Sequence, residues 1–270
     1  MAPASAEIGP CRTQTADPAA TALALLLGLW RDGRHIDALP PDIRPHTRAD
    51  GYAIQALIAR PLAGWKIAAT SDAGQRHINV GGPLAGRVLA DRIVPEGEPV
   101  SLGANRMRVA EIELVFRMKA MLPPRPAPYE QAEVMAAVGA LHLGIELPDS
   151  RFTDFVTAGA AQLIADNACA DQFVLGPEVA DWRDHDLVSH PVLGRSSRGM
   201  VHDGRGGNAL GDPRIALTWL ANELRQYGVA LEAGQIVTTG TCVVPIPVAP
   251  GDIVTGDYGP FGTLEVRFVA

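Results

Sequence analysis

Cysteine is scarce in this sequence. Cys11, Cys169 and Cys242 are odd in number and far apart, which argues against a disulfide framework or a C-x-x-C metal pair and is typical of a reducing compartment. Long hydrophobic runs are also missing: the longest, from Ala19 to Trp30, falls short of the roughly 20 residues that span a bilayer. No positively charged leader is present, since the first basic residue is Arg12. We therefore expect a cytoplasmic protein without a membrane segment.

Positive charge is the minority sign. The chain has 23 Lys and Arg against 30 Asp and Glu, a net charge of −7 and a pI of about 5.5. No cluster of basic residues offers a phosphate-binding surface, so the composition argues against nucleic-acid binding. With 270 residues and 47% hydrophobic content, the chain can build a large core. We expect a globular protein whose partners are small molecules or other subunits.

The texture of the sequence changes along the chain. Residues 1–17 are rich in Ala, Pro, Ser and Thr without an apolar period, which indicates a loose tail. Residues 18–63 contain two predicted helices, the first with Asp17 as N-cap, Pro18 at its first position and Gly33 near its end. Residues 64–270 consist mainly of short apolar runs broken by glycine, which predict strands. The fold class expected is α+β, with a helical extension before a β-rich domain.

Four further segments have local signatures within the β-rich part. The proline-rich stretch MLPPRPAPYE indicates a surface loop, and the following YEQAEVMAAVGALHLG (129–144) is predicted to be helical. A second helix is predicted after Asp212, with Pro213 at its first position. The glycine-rich HDGRGGNALG (202–211) before it is predicted to be a flexible loop. Asp149 and Arg151 are expected to form an internal ion pair.

Two glutamates interrupt the apolar segment VAEIELVFRM (109–118). In a strand, Glu111, Glu113, Val115 and Arg117 share one face, while the other face is wholly apolar and must be buried. The carboxylates then lie roughly 7 Å apart at the backbone, close enough to converge on one cation. The pattern leaves two interpretations open: a strand with one solvated face, or a cation site.

A third carboxylate, Glu146 in GIELPDSRF, follows another apolar stretch. Three glutamates would supply only hard oxygen ligands, which favour Mg²⁺ or Mn²⁺ over Zn²⁺ or copper. The pattern by itself does not bring Glu146 to the pair.

The order of several motifs resembles the 2-keto-4-pentenoate hydratase family of the fumarylacetoacetate hydrolase superfamily. These motifs are GYAIQ, GWKIAAT, EIELVFRM, GIELPDSRF, ADNACADQFVLG, TTGT and PGDIVTGDYGPFG, from about residue 20 to the C-terminus. The resemblance implies a mixed β-sheet roll with a divalent-metal site, usually in a homo-oligomer. It also implies roles for seven residues: Glu111, Glu113 and Glu146 as ligands of Mg²⁺ or Mn²⁺, Lys66 as the catalytic residue, and Cys169, Gly240 and Thr241 as substrate contacts.

The activity implied by the resemblance is hydration of a 2-hydroxy-2,4-dienoate, through the 2-oxo-3-enoate, to a 4-hydroxy-2-oxo acid in aromatic catabolism. A 2-oxo-3-enedioate decarboxylase or an acylpyruvate-type hydrolase on the same scaffold are alternatives. A non-catalytic 2-oxo-acid-binding or structural subunit, in complex with an enzyme of the same pathway, is another. Two departures from the family pattern bear on this choice. NVGGPLAG places Gly81 and Leu84 where the family has aspartates, and Cys169 stands where serine is common.

Overall fold

The computed structural model of the protein describes residues 17–270. Its helices are α1 Pro18–Asp32, α2 Arg48–Ala56, α3 Asp72–His77, α4 Gln131–Ala136, α5 Ala160–Ala165 and α6 Pro213–Gln226. Its strands are β1 Leu62–Ala68, β2 Leu84–Leu89, β3 Ile93–Val94, β4 Val100–Ser101, β5 Val109–Met118, β6 Val138–Leu147, β7 Gln172–Glu178, β8 Pro191–Ser196, β9 Val201–Arg205, β10 Ile236–Thr241, β11 Ile246–Pro247, β12 Ile253–Asp257 and β13 Thr263–Val269.

Two sheets form the framework. The larger, eight-stranded sheet has the order β2-β1-β10-β5-β6-β7-β3, with β11 added beside β5. The β1–β10 and β3–β7 pairs are parallel and the others antiparallel, so the sheet is mixed. The smaller sheet has the order β4-β13-β12-β8-β9. The predicted α+β class and mixed-sheet architecture are thus confirmed.

The main core lies between the sheets and is reached by one face of β5. Ile112 is fully buried there, and a Cβ placed on Gly194 of β8 or on Gly256 of β12 would lie only 2.8 or 3.0 Å from its side chain. Glycine at these positions therefore lets the two sheets approach closely. Val115, on the other face of β5, belongs to a separate small cluster with Phe173.

Local end signals correctly predicted two helices. Asp17 caps α1 by accepting a hydrogen bond from the Ala19 N–H at 3.1 Å, and Gly33 ends the helix in the left-handed conformation. Asp212 caps α6 by accepting from the Arg214 N–H at 2.8 Å. Apart from Asp17, the tail predicted for residues 1–17 lies outside the described residues. The domain boundary at residues 63 and 64 stays a prediction, although β1 begins at Leu62 and α1 and α2 contribute to the main core.

Three local predictions were wrong. The helix expected over residues 129–144 ends at Ala136, and the rest belongs to β6, because pairing with β5 and β7 outweighs the helix propensity of an alanine-rich segment. The first four residues of the loop expected over residues 202–211 belong to strand β9, which pairs with β8. Arg151 pairs with Asp166 rather than with Asp149, which instead accepts a hydrogen bond from the Arg106 N–H at 2.9 Å.

Candidate functional site

The three glutamates converge on one face of the large sheet. In the antiparallel β5–β6 pair, Glu111 stands opposite Glu146 and Glu113 opposite Gly144. Residues directly opposite each other project from the same face, so the three side chains point the same way. One oxygen from each carboxylate lies within 4.8 Å of the other two. The pairing of β5 with β6 thus supplies the contact that the sequence pattern by itself did not.

These carboxylates are removed from water. Glu113 is 1% and Glu146 2% exposed, and Glu111 is partly buried. A strand with a solvated face is therefore excluded. Burial raises the pKa of Glu111 and raises that of Glu113 well above its usual value, with neighbouring carboxylates adding to the latter. Burial likewise raises the pKa of Glu146, to about 7. Because the three carboxylates are buried close together, a bound cation would stabilise their ionised forms.

Lys66 supplies one positive charge to the same face. It stands beside Thr238 of β10, which stands beside Val115 of β5. Its Nζ lies 3.2 Å from Glu146 Oε1 and donates to the carbonyl oxygen of Ala168 at 3.2 Å. Burial lowers the pKa of Lys66, but attraction to Glu146 and the other two glutamates outweighs it, so the pKa is raised above its usual value. Lys66 is an ammonium ion in this arrangement.

One carboxylate oxygen of the cluster lacks a hydrogen-bond partner within the described part of the chain. Glu146 Oε2 is buried and has no hydrogen-bond partner among residues 17–270. A buried carboxylate oxygen without a partner is costly unless a cation or donor satisfies it. With all three glutamates ionised, the carboxylates would outnumber the one ammonium, so their joint ionisation requires a further positive charge. The all-oxygen donor set and this orphaned oxygen fit a hard divalent cation such as Mg²⁺ or Mn²⁺.

A left-handed turn covers Lys66. Asn167, Ala168 and Cys169 have φ values of +58°, +50° and +61°. The Asn167 side chain accepts from the Arg87 N–H at 2.7 Å and donates to the Arg87 carbonyl oxygen at 2.9 Å, so it ties the turn to β2. A Cβ at Gly86 would collide with the turn. Glycine in β2 and the doubly bonded asparagine thus hold the Ala168 carbonyl over Lys66.

A buried ion pair, Arg151–Asp166, holds the residue that directly precedes this turn. Asp166 accepts hydrogen bonds from the Arg151 side chain, from the Arg151 N–H at 2.9 Å and from Ser150 Oγ at 2.7 Å. The Cys169 carbonyl accepts from the Asp149 N–H at 2.9 Å. Burial raises the pKa of the Cys169 thiol to about 12, so the thiol is neutral. Its predicted contact with substrate stays a prediction.

The TTGT segment of β10 lies against Glu113. Glu113 Oε2 accepts hydrogen bonds from Thr238 Oγ1 and, at 2.7 Å, from the Gly240 N–H. The Thr241 hydroxyl donates to the Val243 carbonyl oxygen at 2.7 Å. Substrate binding by Gly240 and Thr241 stays a prediction. Sequence reasoning missed Thr238, although its place at the start of the same TTGT turn was a usable signal.

The two positions that depart from the family pattern differ in their surroundings. Leu84 is fully buried at the start of β2 and belongs to the main core. Gly81 precedes it in a loop, where a Cβ would meet no atom within 4 Å. His77 is exposed in α3, with its ring packed edge-on to Phe155. Position 84, where the resemblance implies an acid, is therefore occupied by a core residue.

Comparison with known proteins identifies relatives over almost the whole chain. A 2-keto-4-pentenoate hydratase 1 from Dechloromonas aromatica (strain RCB) is 31% identical over 254 residues, which cover 92% of this chain and 95% of the relative. A 4-oxalocrotonate decarboxylase from Pseudomonas sp. (strain CF600) is 29% identical over 245 residues, covering 88% and 92%. The solved structure of 4-oxalocrotonate decarboxylase from Pseudomonas putida G7, complexed with magnesium and adipate, is 27% identical with a TM-score of 0.86, covering 96% of this chain and 100% of that one. No protein-family model matches.

The fold is that of the fumarylacetoacetate hydrolase superfamily, and the acidic cluster on its large sheet is suited to a divalent metal. Within that superfamily, the chain belongs to the family of 2-keto-4-pentenoate hydratases and 4-oxalocrotonate decarboxylases. The predicted family is thereby confirmed. Among the described residues, no helix is long and apolar enough to cross a membrane.

Proposed function

We propose that the protein is a divalent-metal-dependent hydratase acting on a 2-hydroxy-2,4-dienoate. The substrate tautomerises to the 2-oxo-3-enoate, and one water adds across the remaining double bond to give the 4-hydroxy-2-oxo acid, with no net oxidation or reduction. The observation that carries the proposal is the cluster of Glu111, Glu113 and Glu146 with Lys66 Nζ 3.2 Å from Glu146. Relatives named as hydratases of such acids support the substrate class.

The three glutamates would hold Mg²⁺ or Mn²⁺. When bound, the ion supplies Lewis-acid stabilisation of negative charge on the substrate's 2-oxygen and carboxylate. The orphaned Glu146 Oε2 and the excess of carboxylates over ammonium support this assignment.

Lys66 would hold and donate the proton that the reaction moves. Its ammonium group has three N–H donors. Two of them are engaged by Glu146 Oε1 and the Ala168 carbonyl oxygen, which fixes the direction of the third. A positioned acid of this kind contributes about 10²- to 10⁴-fold to rate. Glu146 Oε1, 3.2 Å from Nζ, would orient the ammonium group of Lys66.

The segment containing Gly240 and Thr241 would contact the substrate carboxylate, and Cys169 would line the site. To donate to a carboxylate, the Thr241 hydroxyl must give up its bond to the Val243 carbonyl oxygen. The Gly240 N–H is already used by Glu113, so its contact would be made by the Cα. The neutral Cys169 thiol would act as a weak donor.

The direct test follows the ultraviolet absorbance of 2-hydroxypenta-2,4-dienoate with enzyme and Mg²⁺ or Mn²⁺. We expect loss of the dienol signal, with the 4-hydroxy-2-oxo acid identified as product. EDTA, Glu113→Gln and Lys66→Met should each abolish turnover or lower kcat by about 10²-fold or more. Glu178→Gln is the matched control, since Glu178 is an exposed carboxylate on β7. Turnover that survives both EDTA and Lys66→Met would refute the proposal.

Decarboxylation of a 2-oxo-3-enedioate is the second candidate. The structural likeness to a 4-oxalocrotonate decarboxylase and the similarity in sequence to another protein of that name favour it. The same metal site and Lys66 would serve: the C–C bond to one carboxylate breaks to release CO₂, and the electron pair left on the substrate, delocalised as a dienolate, takes up one proton in place of water addition. Release of CO₂ from the enedioate, without hydration of the dienoate, would select this activity.

We infer a homo-oligomer in the cytoplasm, with a further enzyme of the same pathway as its partner. Light scattering of the purified protein measures the number of subunits. A single monomeric mass would contradict the homo-oligomer.

A further inference from the structure

Strand β10 runs between the two parts of the site. Thr238 on β10 stands opposite Lys66 on one side and Val115 of β5 on the other. Its side chain is completely buried. Its hydroxyl donates a hydrogen bond to Glu113 Oε2, the oxygen that also accepts from the Gly240 N–H. Two donors from one strand therefore hold a single oxygen of one glutamate.

The backbone is shaped to bring both donors to that oxygen. The ladder between β10 and β5 shifts register between Thr238 and Thr241, as in a bulge. Gly240 within the shift has φ +105°, and a Cβ there would collide with the Thr70 side chain. The carboxylate plane of Glu113 is consequently fixed, and its second oxygen, Oε1, is the one that these donors do not use.

We propose that Thr238 is a positioning residue for the cation: its hydrogen bond orients Glu113 and thereby sets the affinity of the glutamate triad for Mg²⁺ or Mn²⁺. This inference rests on the proposed metal-dependent function. Groups that hold a ligating carboxylate in place typically change metal affinity by about 10- to 100-fold when removed. Without the hydroxyl donor, Glu113 can rotate away from Glu111 and Glu146, because like charges repel.

The next residue provides a matched control. Thr239 is also completely buried, and its hydroxyl donates to the Leu114 carbonyl oxygen at 2.9 Å. Thr238→Val and Thr239→Val therefore remove one buried hydrogen bond each, with the same change of side chain, from neighbouring positions of one strand. Only the bond of Thr238 goes to a glutamate of the triad.

The experiment measures metal binding without substrate. Metal-free wild type, T238V, T239V and T238S are titrated with Mn²⁺ and Mg²⁺ by calorimetry, and each is unfolded in urea. We expect T238V to raise the Kd by about 10- to 100-fold, whereas T239V and T238S stay near wild type. We expect the two valine variants to lose similar stability in urea, since each loses one buried hydrogen bond.

Each alternative result overturns the inference in a recognisable way. Equal Kd values for wild type and T238V would remove Thr238 from the site while leaving the metal-dependent function intact. An equal loss in T239V would show a general distortion of β10. No binding by wild type would remove both this inference and the proposed function. If T238V fails to fold, T238S and T238C give the same comparison, because a thiol is a weak donor.

Discussion

Removing the charge of Asp166 tests whether a buried ion pair stabilises the wall of the site. The side chains of Arg151 and Asp166 are almost completely buried and pair directly with each other. Asp166→Asn keeps the shape of the side chain but turns one of its acceptor oxygens into a donor. Arg151 is then left with its charge uncompensated, and its Nη1 has no hydrogen-bond partner among the described residues even before the change.

The expected loss is large because the remaining charge stays buried. Breaking a buried ion pair by removing one partner destabilises by about 3–5 kcal/mol. This corresponds to a roughly 10²- to 10⁴-fold change in the unfolding equilibrium, at about 1.4 kcal/mol per factor of ten. For a chain of this size, each kcal/mol shifts the Tm by roughly 2–4 °C, so we expect a fall of about 6–20 °C.

Urea unfolding and thermal unfolding both measure this loss. The control is Glu133→Gln, which breaks the Arg125–Glu133 pair on the surface, where the side chains are 33% and 44% exposed. Exposed pairs contribute about 1 kcal/mol or less, so the control should change little. If Asp166→Asn is no more destabilising than Glu133→Gln, the reasoning from burial is refuted. A double variant, Arg151→Met with Asp166→Asn, should recover part of the loss, since no unpaired charge remains and the Asn oxygen can still accept from the backbone N–H at position 151 or from Ser150 Oγ.

Three further predictions concern the turn, the bulge and the acid stability. Asn167→Ala, which frees the turn from β2, should lower kcat by up to about 10²-fold while calorimetry shows unchanged Mn²⁺ affinity; a parallel loss of affinity would contradict this. Gly240→Ala should lower the urea midpoint more than Gly251→Ala, because both have positive φ but only the Cβ at Gly240 collides with Thr70; equal losses would contradict it. Burial lowers the pKa of His190 below its ordinary 6.5, so below that pH the unfolded state binds more protons than the folded state. The free energy of unfolding should therefore fall with acidification, by at most about 1.4 kcal/mol per pH unit from this residue. His190→Gln should reduce this slope, and an unchanged slope would count against the assignment.

The sequence predicted those structural features that depend on a few neighbouring residues. The ends of α1 follow from Asp17 and Gly33, because a side chain caps the first turn and a glycine takes the left-handed conformation after the last. The faces of β5 follow from the period of two in a strand. The resemblance of the motifs to a known family supplied the candidate metal ligands, which the alternation of side chains along β5 left open.

The contacts between strands that assemble the site could not be predicted from local sequence patterns. Residues 138–147 have a helix-like composition, yet they form β6 because two neighbouring strands pair with them. The closeness of Lys66 to Glu146 and of Thr238 to Glu113 depends on the strand order β1-β10-β5-β6. In this order β10 lies between β1 and β5, although it is more than 100 residues from either of them in the chain. The apolar pattern within one strand does not determine which strand it pairs with, or in which register.

The alternation of β5 restricts how this protein can change over time. One set of its residues packs between the sheets and the other carries Glu111 and Glu113, so inserting or deleting a single residue would send the acids into the core and the core residues into the site. Function and folding therefore cannot vary independently along this strand. New substrate preferences are more accessible in segments outside the ladder, such as the loop around Gly81, where an added side chain meets open space. The framework that assembles the cation site thus directs evolutionary change to the loops around it.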